Sequence, residues 1–159
     1  MKTGIGHDTH RFQLEVPKNL VLGGFTIPDC FGLQGNSDGD VVLHALTNAL
    51  SSITGVNILG AVADEMCMKK GIKDSKKYLK KALGCLKEYA VVHVSISIEA
   101  KIPKLAPHID AMKESIASLF SLTPSDVGIT ATSGERLTAY GRGEGIMAIA
   151  VVTAIKTEK

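Results

Sequence analysis

The stretch GHDTHRF, residues 6–12, sets His7, Asp8 and His10 side by side in a chain with five histidines. Adjacent carboxylate and imidazole groups are poor core material and good metal ligands or acid/base partners. In an extended segment residues two apart point to the same face, so Asp8 and His10 can chelate one ion while His7 faces away if the strand is regular. Two ligands hold a metal weakly, and a catalytic zinc site generally has three protein ligands and one open position. His44 is the best third ligand, because it lies on an apolar helix just beyond the turn-rich NSDGD. A D-x-H tripeptide also arises by chance, and a lone helical histidine often only hydrogen-bonds in a core, so spacing alone leaves both readings open. His93, within a strand, and His108, after Pro107, read as structural or capping residues.

A second group of residues suits phosphate. In TATSGERLTAYGRGEG, Thr132 and Ser133 offer hydroxyls, the backbone at Gly134 can approach an anion closely, and Glu135 could hold a divalent ion against it. The turn GRGEGI, residues 141–146, adds Arg142, whose planar fork suits phosphate, beside Glu144. No GK[ST] follows and no helix opens after it, so it is neither a P-loop nor a dinucleotide fingerprint. Taken alone it is a tight turn before the last strand. Lys104, in IPKLAPH, contributes a point charge. Two loops of this kind plus a candidate metal triad point to a phosphate-handling enzyme.

These residues need elements to position them. Lys2 to His7 reads as a short edge strand, and NLVLGGFTI, residues 19–27, as β-prone with a bulge or bend at its glycine pair. Val42, Ala45, Leu46, Ala49, Leu50 and Ile53 recur at helical spacing behind the Asp and Gly of NSDGD. A second helix opens at Asp74-Ser75, with Tyr78, Leu79, Ala82, Leu83 and Leu86 as its stripe. Residues 91–100 alternate as a strand, a Pro-bounded loop leads to a helix around Ile109 to Leu119, and residues 127–133 form another strand. The last strand, IMAIAVVTAI, is almost wholly apolar and therefore central. Helices and strands mix throughout, which gives an α/β or α+β fold with one sheet covered by helices.

Bulk properties narrow the class. A chain of 159 residues suits one domain, here taken as 1–159, and 45% hydrophobic against 21% charged residues is ordinary for a soluble globular protein. A formal charge of +2 and 4% aromatic residues without Trp argue against nucleic acid. Cys30, Cys67 and Cys85 form no CxxC pair and read as reduced thiols. No apolar run suits a signal peptide or a membrane span, so the expected location is the cytoplasm, or a plastid if a transit peptide has been removed.

GHDTHRF, SDGDVVLHAL, GIKDS, APHI after a lysine and ERLTAYGRGEGI stand in the order found in one family. From about residue 4 to the last strand the chain resembles the 2-C-methyl-D-erythritol 2,4-cyclodiphosphate synthases of non-mevalonate isoprenoid biosynthesis. The resemblance implies a homotrimer of α/β subunits, each a mainly four-stranded mixed sheet with helices on one face, and active sites between subunits. It implies zinc on Asp8, His10 and His44, and a second divalent ion, magnesium or manganese, near Glu135. It further implies that the 2-phosphate of a CDP-methylerythritol substrate attacks the β-phosphorus of its own CDP group and expels CMP. Asn36 and Ser133 fall at catalytic phosphate-contact positions. Asp8, Thr9, His10, Ser37, Gly60, Ala100, Lys104, Leu105, Ala106, Ala131, Thr132, Glu135 and Arg142 complete the implied substrate contacts. Arg142 and Glu144 match a motif facing the trimer axis, where several members hold an isoprenoid diphosphate.

Three stretches depart from that pattern. Asn36 replaces a histidine common before SDGD, Ile58 replaces an aspartate that holds the sugar-alcohol hydroxyls, and AVADEMCM replaces a different loop, leaving the alcohol contacts near Asp64 and Glu65 open. Asn48 stands where a carboxylate is common one turn after the helical ligand. Two competing functions follow: a non-catalytic trimer that binds an isoprenoid diphosphate, and a general metal-dependent nucleotide phosphoesterase.

Overall fold

The computed structural model describes residues 1–157. Its main sheet has four strands in the order β1 (Lys2–Arg11), β6 (Gly145–Lys156), β4 (Tyr89–Glu99) and β5 (Val127–Thr132). β6 runs antiparallel to both β1 and β4, whereas β5 lies parallel to β4, so the sheet is mixed. The apolar last strand is central: it pairs with β1 on one edge and β4 on the other, and its alternate residues Ile146, Ala148, Ala150, Val152 and Ala154 are buried on the helix side. β1 is an edge strand, but it continues through Asp8 and His10 to Arg11 instead of stopping at His7.

One face of the sheet is covered. Ala148, Ala150 and Val152 of β6 point toward helix α1 (Val41–Thr54), whose residues are almost all buried, and Val94, Ile96 and Ile98 of β4 are buried on the same side of the sheet. Such a helix is enclosed on several sides: α3 (Ser75–Leu83) packs outside it and the β2–β3 hairpin (Asn19–Leu22, Phe25–Phe31) lies near its start. The glycine pair of NLVLGGFTI is the hairpin turn itself, not a bulge, with Gly23 and Gly24 both at positive φ (63° and 76°) as a two-residue turn of this hand demands. α4 (Ile109–Phe120) covers β5. The AVADEMCM stretch, expected as a loop, is helical: α2 (Ala61–Asp64) runs into a π-helical turn, Glu65–Lys69. A further short helix, α5 (Ala139–Arg142), stands where only a turn was expected before β6. The opposite face of the sheet is bare, with Ile5 64% exposed and Ile149, Val151, Ser95 and Thr130 lining a shallow hollow.

Two devices fix α1 against its neighbours. Asp40 caps it completely: its carboxylate accepts the N–H groups of Val42 and Leu43, and also those of Gly23 and Gly24 in the hairpin turn at 2.9 and 2.6 Å. Burial pushes Asp40 up to about 6, held back by the Leu43, Gly24 and Gly23 hydrogen bonds and aided by the nearby Asp38 charge. The second device is the helix-facing side of β1, which begins with Gly4 and Gly6. A Cβ at Gly4 would lie 2.1 Å from the Ala49 carbonyl oxygen, and one at Gly6 would lie 2.0 Å from that of Ala45. The strand backbone therefore touches the helix backbone directly.

Gly6→Ala is expected to lower stability by about 3 kcal/mol, the upper end for overpacking, because a main-chain oxygen cannot swing aside; urea unfolding measures it. Asp40 makes a pH-dependent contribution. Its folded pKa lies above the unfolded value of 3.8, so the folded chain holds the extra proton between about pH 4 and 6 and stability from this group falls as pH rises through that window. Chelated wild-type protein compared with Asp40→Asn should show this difference, flat above pH 6.

Candidate metal centre

Asp8 and His10 follow Gly4 and Gly6 on the same side of β1, and His44 comes from the first turns of α1. The close strand–helix contact lets their side chains meet. His44 Nδ1 lies 2.9 Å from Asp8 Oδ2, His10 Nε2 lies 3.0 Å from the same oxygen, and the two ring nitrogens are 3.2 Å apart. Three donor atoms thus converge as a group able to hold a metal ion. Burial works to raise the Asp8 pKa, but hydrogen bonds and charges from His10 and His44 outweigh it and hold the carboxyl well below the usual range. His7 is exposed on the bare face, as strand alternation predicts.

The triad opens into a recess of about 230 Å³, walled by Gly35, Asn36 and Ser37 on one side and by Leu59, Gly60, Asp64 and Cys67 on the other. The 35–37 wall is held in place: Lys18 Nζ donates to the Ser37 carbonyl at 2.7 Å, and Cys67 Sγ, from the other wall, donates to the Asn36 carbonyl at 3.2 Å. Two departures noted in the sequence have definite places. Ile58 is 1% exposed and belongs to the core, so its side chain is withdrawn from the recess. Asn48 donates to the His7 carbonyl at 3.1 Å and touches none of the three candidate ligands.

His44 is instead supported from behind by Ser75 and Asp38, which sequence reasoning did not single out as functional, and by Ser37, which it placed among the substrate contacts. Its Nε2 lies 2.9 Å from Ser75 Oγ and 3.4 Å from Ser37 Oγ, and Ser75 Oγ donates in turn to Asp38. The signal was present in SDGD and GIKDS, but nothing in their spacing says that the two segments meet.

The phosphate-compatible loops gather elsewhere. Ala100 and Thr132 are joined by a 3.0 Å backbone hydrogen bond, Ser133 Oγ donates to Glu135 at 3.3 Å, and Thr138 donates to the buried Glu99 beneath Gly134. Lys104 and Ala106 are exposed beside them, Leu105 turns its side chain into the core, and Ala131 ends the β5 row. The row Asp8, Ala148, Ile98, Ala131 crosses the whole sheet. Three interstrand steps make that about 14 Å. Within one chain this group and the triad therefore share no recess. Thr9 borders a separate hollow of about 290 Å³ with Arg11, Tyr140 and Glu144. Arg142 is paired there with Glu144 at 2.9 Å.

With this geometry in place, the kinship of the chain is plain. It belongs to the YgbB family, whose model matches residues 1–155. A relative from Chlamydia muridarum, named 2-C-methyl-D-erythritol 2,4-cyclodiphosphate synthase, is 48% identical over 98% of this chain and 88% of its own length. Among solved structures, the bifunctional IspDF of Campylobacter jejuni superposes with a TM-score of 0.88 at 30% identity; the match covers 98% of this chain and 42% of that longer one. A CDP-bound 2C-methyl-D-erythritol-2,4-cyclodiphosphate synthase gives a TM-score of 0.80 at 28% identity, over 97% of this chain and all of the other.

Purified protein is expected to carry about one zinc per chain, lost in His44→Ala, since two remaining ligands hold the ion weakly. Metal analysis of both proteins after metal-replete purification checks it; equal zinc in the two would exclude the triad.

Proposed function

We propose that this chain is a cyclodiphosphate synthase, acting as a single domain on 4-CDP-2-C-methyl-D-erythritol 2-phosphate and releasing CMP and 2-C-methyl-D-erythritol 2,4-cyclodiphosphate. The observation that carries this reading is the convergence of Asp8, His10 and His44 at the floor of an open recess. Their 2.9–3.2 Å separations lie a few tenths of an ångström inside the roughly 3.3 Å between ligand atoms about 2.0–2.1 Å from a tetrahedral zinc, so a small outward shift of the side chains would admit the ion. The recess supports the same conclusion by its charge. Among its described lining residues are Asp8 and Asp64 but no lysine or arginine, so it would repel a phosphate unless a cation sat on the triad. When bound there, zinc would supply Lewis-acid polarisation of a phosphate oxygen.

The protein's own residues position the reactants. The 2-phosphate oxygen attacks the β-phosphorus, the bond from that phosphorus to the α–β bridging oxygen breaks, and CMP departs with the electron pair. Such transfer needs alignment and charge neutralisation more than covalent help. Asn36 and Ser37, on the recess wall, donate hydrogen bonds to the transferring phosphate; neutral Asn36 does so without adding charge. Gly60 leaves room for the alcohol portion. The backbone of Ala100, Leu105, Ala106 and Ala131, with the hydroxyls of Thr132 and Ser133, holds the CDP group, and Lys104 offsets its charge. Glu135 would hold a second divalent ion, magnesium or manganese, which would offset charge on the diphosphate.

The distance of about 14 Å between the triad and these loops supports a homotrimer in which the loops of one subunit face the recess of the next. The bare sheet face, with its exposed Ile5, supports burial against other copies. Arg142 and Glu144 would then approach the trimer axis, the place for an isoprenoid diphosphate. No helix among the described residues is long and apolar enough to cross a membrane. A cytoplasmic location accords with the bacterial relatives.

Zinc-loaded protein given the CDP substrate should release CMP and cyclodiphosphate in equal amounts. His44→Ala should lower the rate about 100- to 1,000-fold, the scale on which a principal charge-stabilising group acts. Absence of CMP release would overturn the proposal, and inorganic phosphate released from free CDP would mark a general phosphoesterase instead.

A further inference from the structure

We infer that Ser75 and Asp38 are positioning residues that set the tautomer of His44 and so prepare its Nδ1 to bind a cation. The inference rests on the metal reading of the triad but concerns groups behind it. Ser75 is fully buried at the start of α3, and its Oγ stands between the Asp38 carboxylate and His44 Nε2, 2.9 Å from the latter. Asp38 can only accept, so the Ser75 hydroxyl spends its single proton there. The Ser75 oxygen is then left as an acceptor, and His44 Nε2 must be the nitrogen that carries hydrogen. That leaves Nδ1, 2.9 Å from Asp8 and 3.2 Å from His10 Nε2, to share a proton with the Asp8 carboxylate when no cation is present and to offer its lone pair when a cation takes that proton's place. Direction therefore passes along the relay from a carboxylate outside the recess lining to the ring whose Nδ1 would bind metal.

The relay is held rigidly at its far end. Asp38 Oδ2 accepts the Ser75 backbone N–H at 3.0 Å, its Oδ1 also accepts the Asp40 N–H at 3.2 Å, and its own N–H donates to the Lys73 carbonyl at 2.8 Å. Ser37 Oγ, 3.4 Å from Nε2 and accepting the Gly39 N–H, is a more distant second acceptor and favours the same tautomer. Four segments thus meet on one imidazole: β1 in front, α1 carrying it, and the 37–40 turn and α3 behind. Groups behind metal-bound histidines orient the ring and raise its basicity, and their loss generally lowers metal affinity about 10- to 100-fold.

The test reads the tautomer and the affinity separately. In ¹⁵N-histidine-labelled protein the two-bond ¹H–¹⁵N spectrum should show His44 carrying hydrogen at Nε2 both with and without zinc, its signal assigned by its loss in His44→Gln. Zinc competition against a chromophoric chelator should show affinity reduced about 10- to 100-fold in Ser75→Ala, with the metal-free melting temperature within a few degrees of wild type. In Asp38→Asn the amide can donate as well as accept, so the Nε2–H preference should weaken and affinity should fall too. Wild-type His44 without hydrogen at Nε2 would overturn the inference, as would both variants binding zinc within twofold of wild type. If wild type takes up no zinc, the metal reading fails while the tautomer still decides whether the relay exists.

Discussion

Everything at the recess depends on how closely α1 lies on β1. Helices normally rest on a sheet through side chains, which keeps the two backbones well apart. Here Gly4 and Gly6 present no side chain to the helix, and the carbonyl oxygens of Ala49 and Ala45 occupy the positions where their Cβ atoms would be. The helix settles by the depth of a side-chain layer. His44, a side chain too short to reach across an ordinary helix–sheet gap, consequently lies within hydrogen-bond distance of Asp8. The two glycines and the two ligands form one alternating series on one face of one strand. The first pair creates the proximity that the second pair uses.

That proximity concentrates negative charge. Asp8 faces the recess, Asp38 lies behind His44, and Asp40 is buried at the helix cap, with its pKa raised by burial and by Asp38. Each carboxylate is satisfied by donors: imidazoles for Asp8, the Ser75 N–H and O–H for Asp38, four backbone N–H groups for Asp40. The fold thus stabilises acids one by one at this end of α1. A cation in front of the triad would complete the arrangement electrostatically, and it would also turn an acidic recess into one that accepts phosphate.

Much of this was legible in the sequence, for identifiable reasons. The D-x-H pair sits on a strand, where the period of two places both ligands on one side, and α1 announces itself through Val42, Leu46, Ala49, Leu50 and Ile53. The apolar run of β6 likewise could only be central. The parts that were not legible depend on tertiary proximity. Gly4 and Gly6 look like weak points of an edge strand until the helix above them is known, and the NLVLGGFTI pair reads equally as a bulge or a bend until β3 is seen to fold back. Residues 61–69 carry no clean helical stripe, and their π-helical turn breaks the 3.6-residue period by which a helix would be recognised. Ser75 reads as an ordinary helix-start residue because capping and relay chemistry use the same hydroxyl.

The alternation of β1 has a consequence for what the strand tolerates over evolutionary time. Its ladder to β6 runs without a break from Lys2 to Arg11, and hydrogen bonding alone would accept a slip of one residue. Insertion or deletion of a single residue between Gly6 and Asp8 would preserve that ladder and almost all of the composition. It would also carry both ligands through the sheet to the bare face, away from His44. The spacing from Gly4 to His10 is therefore a fixed length, and this segment can change by substitution but not by insertion or deletion.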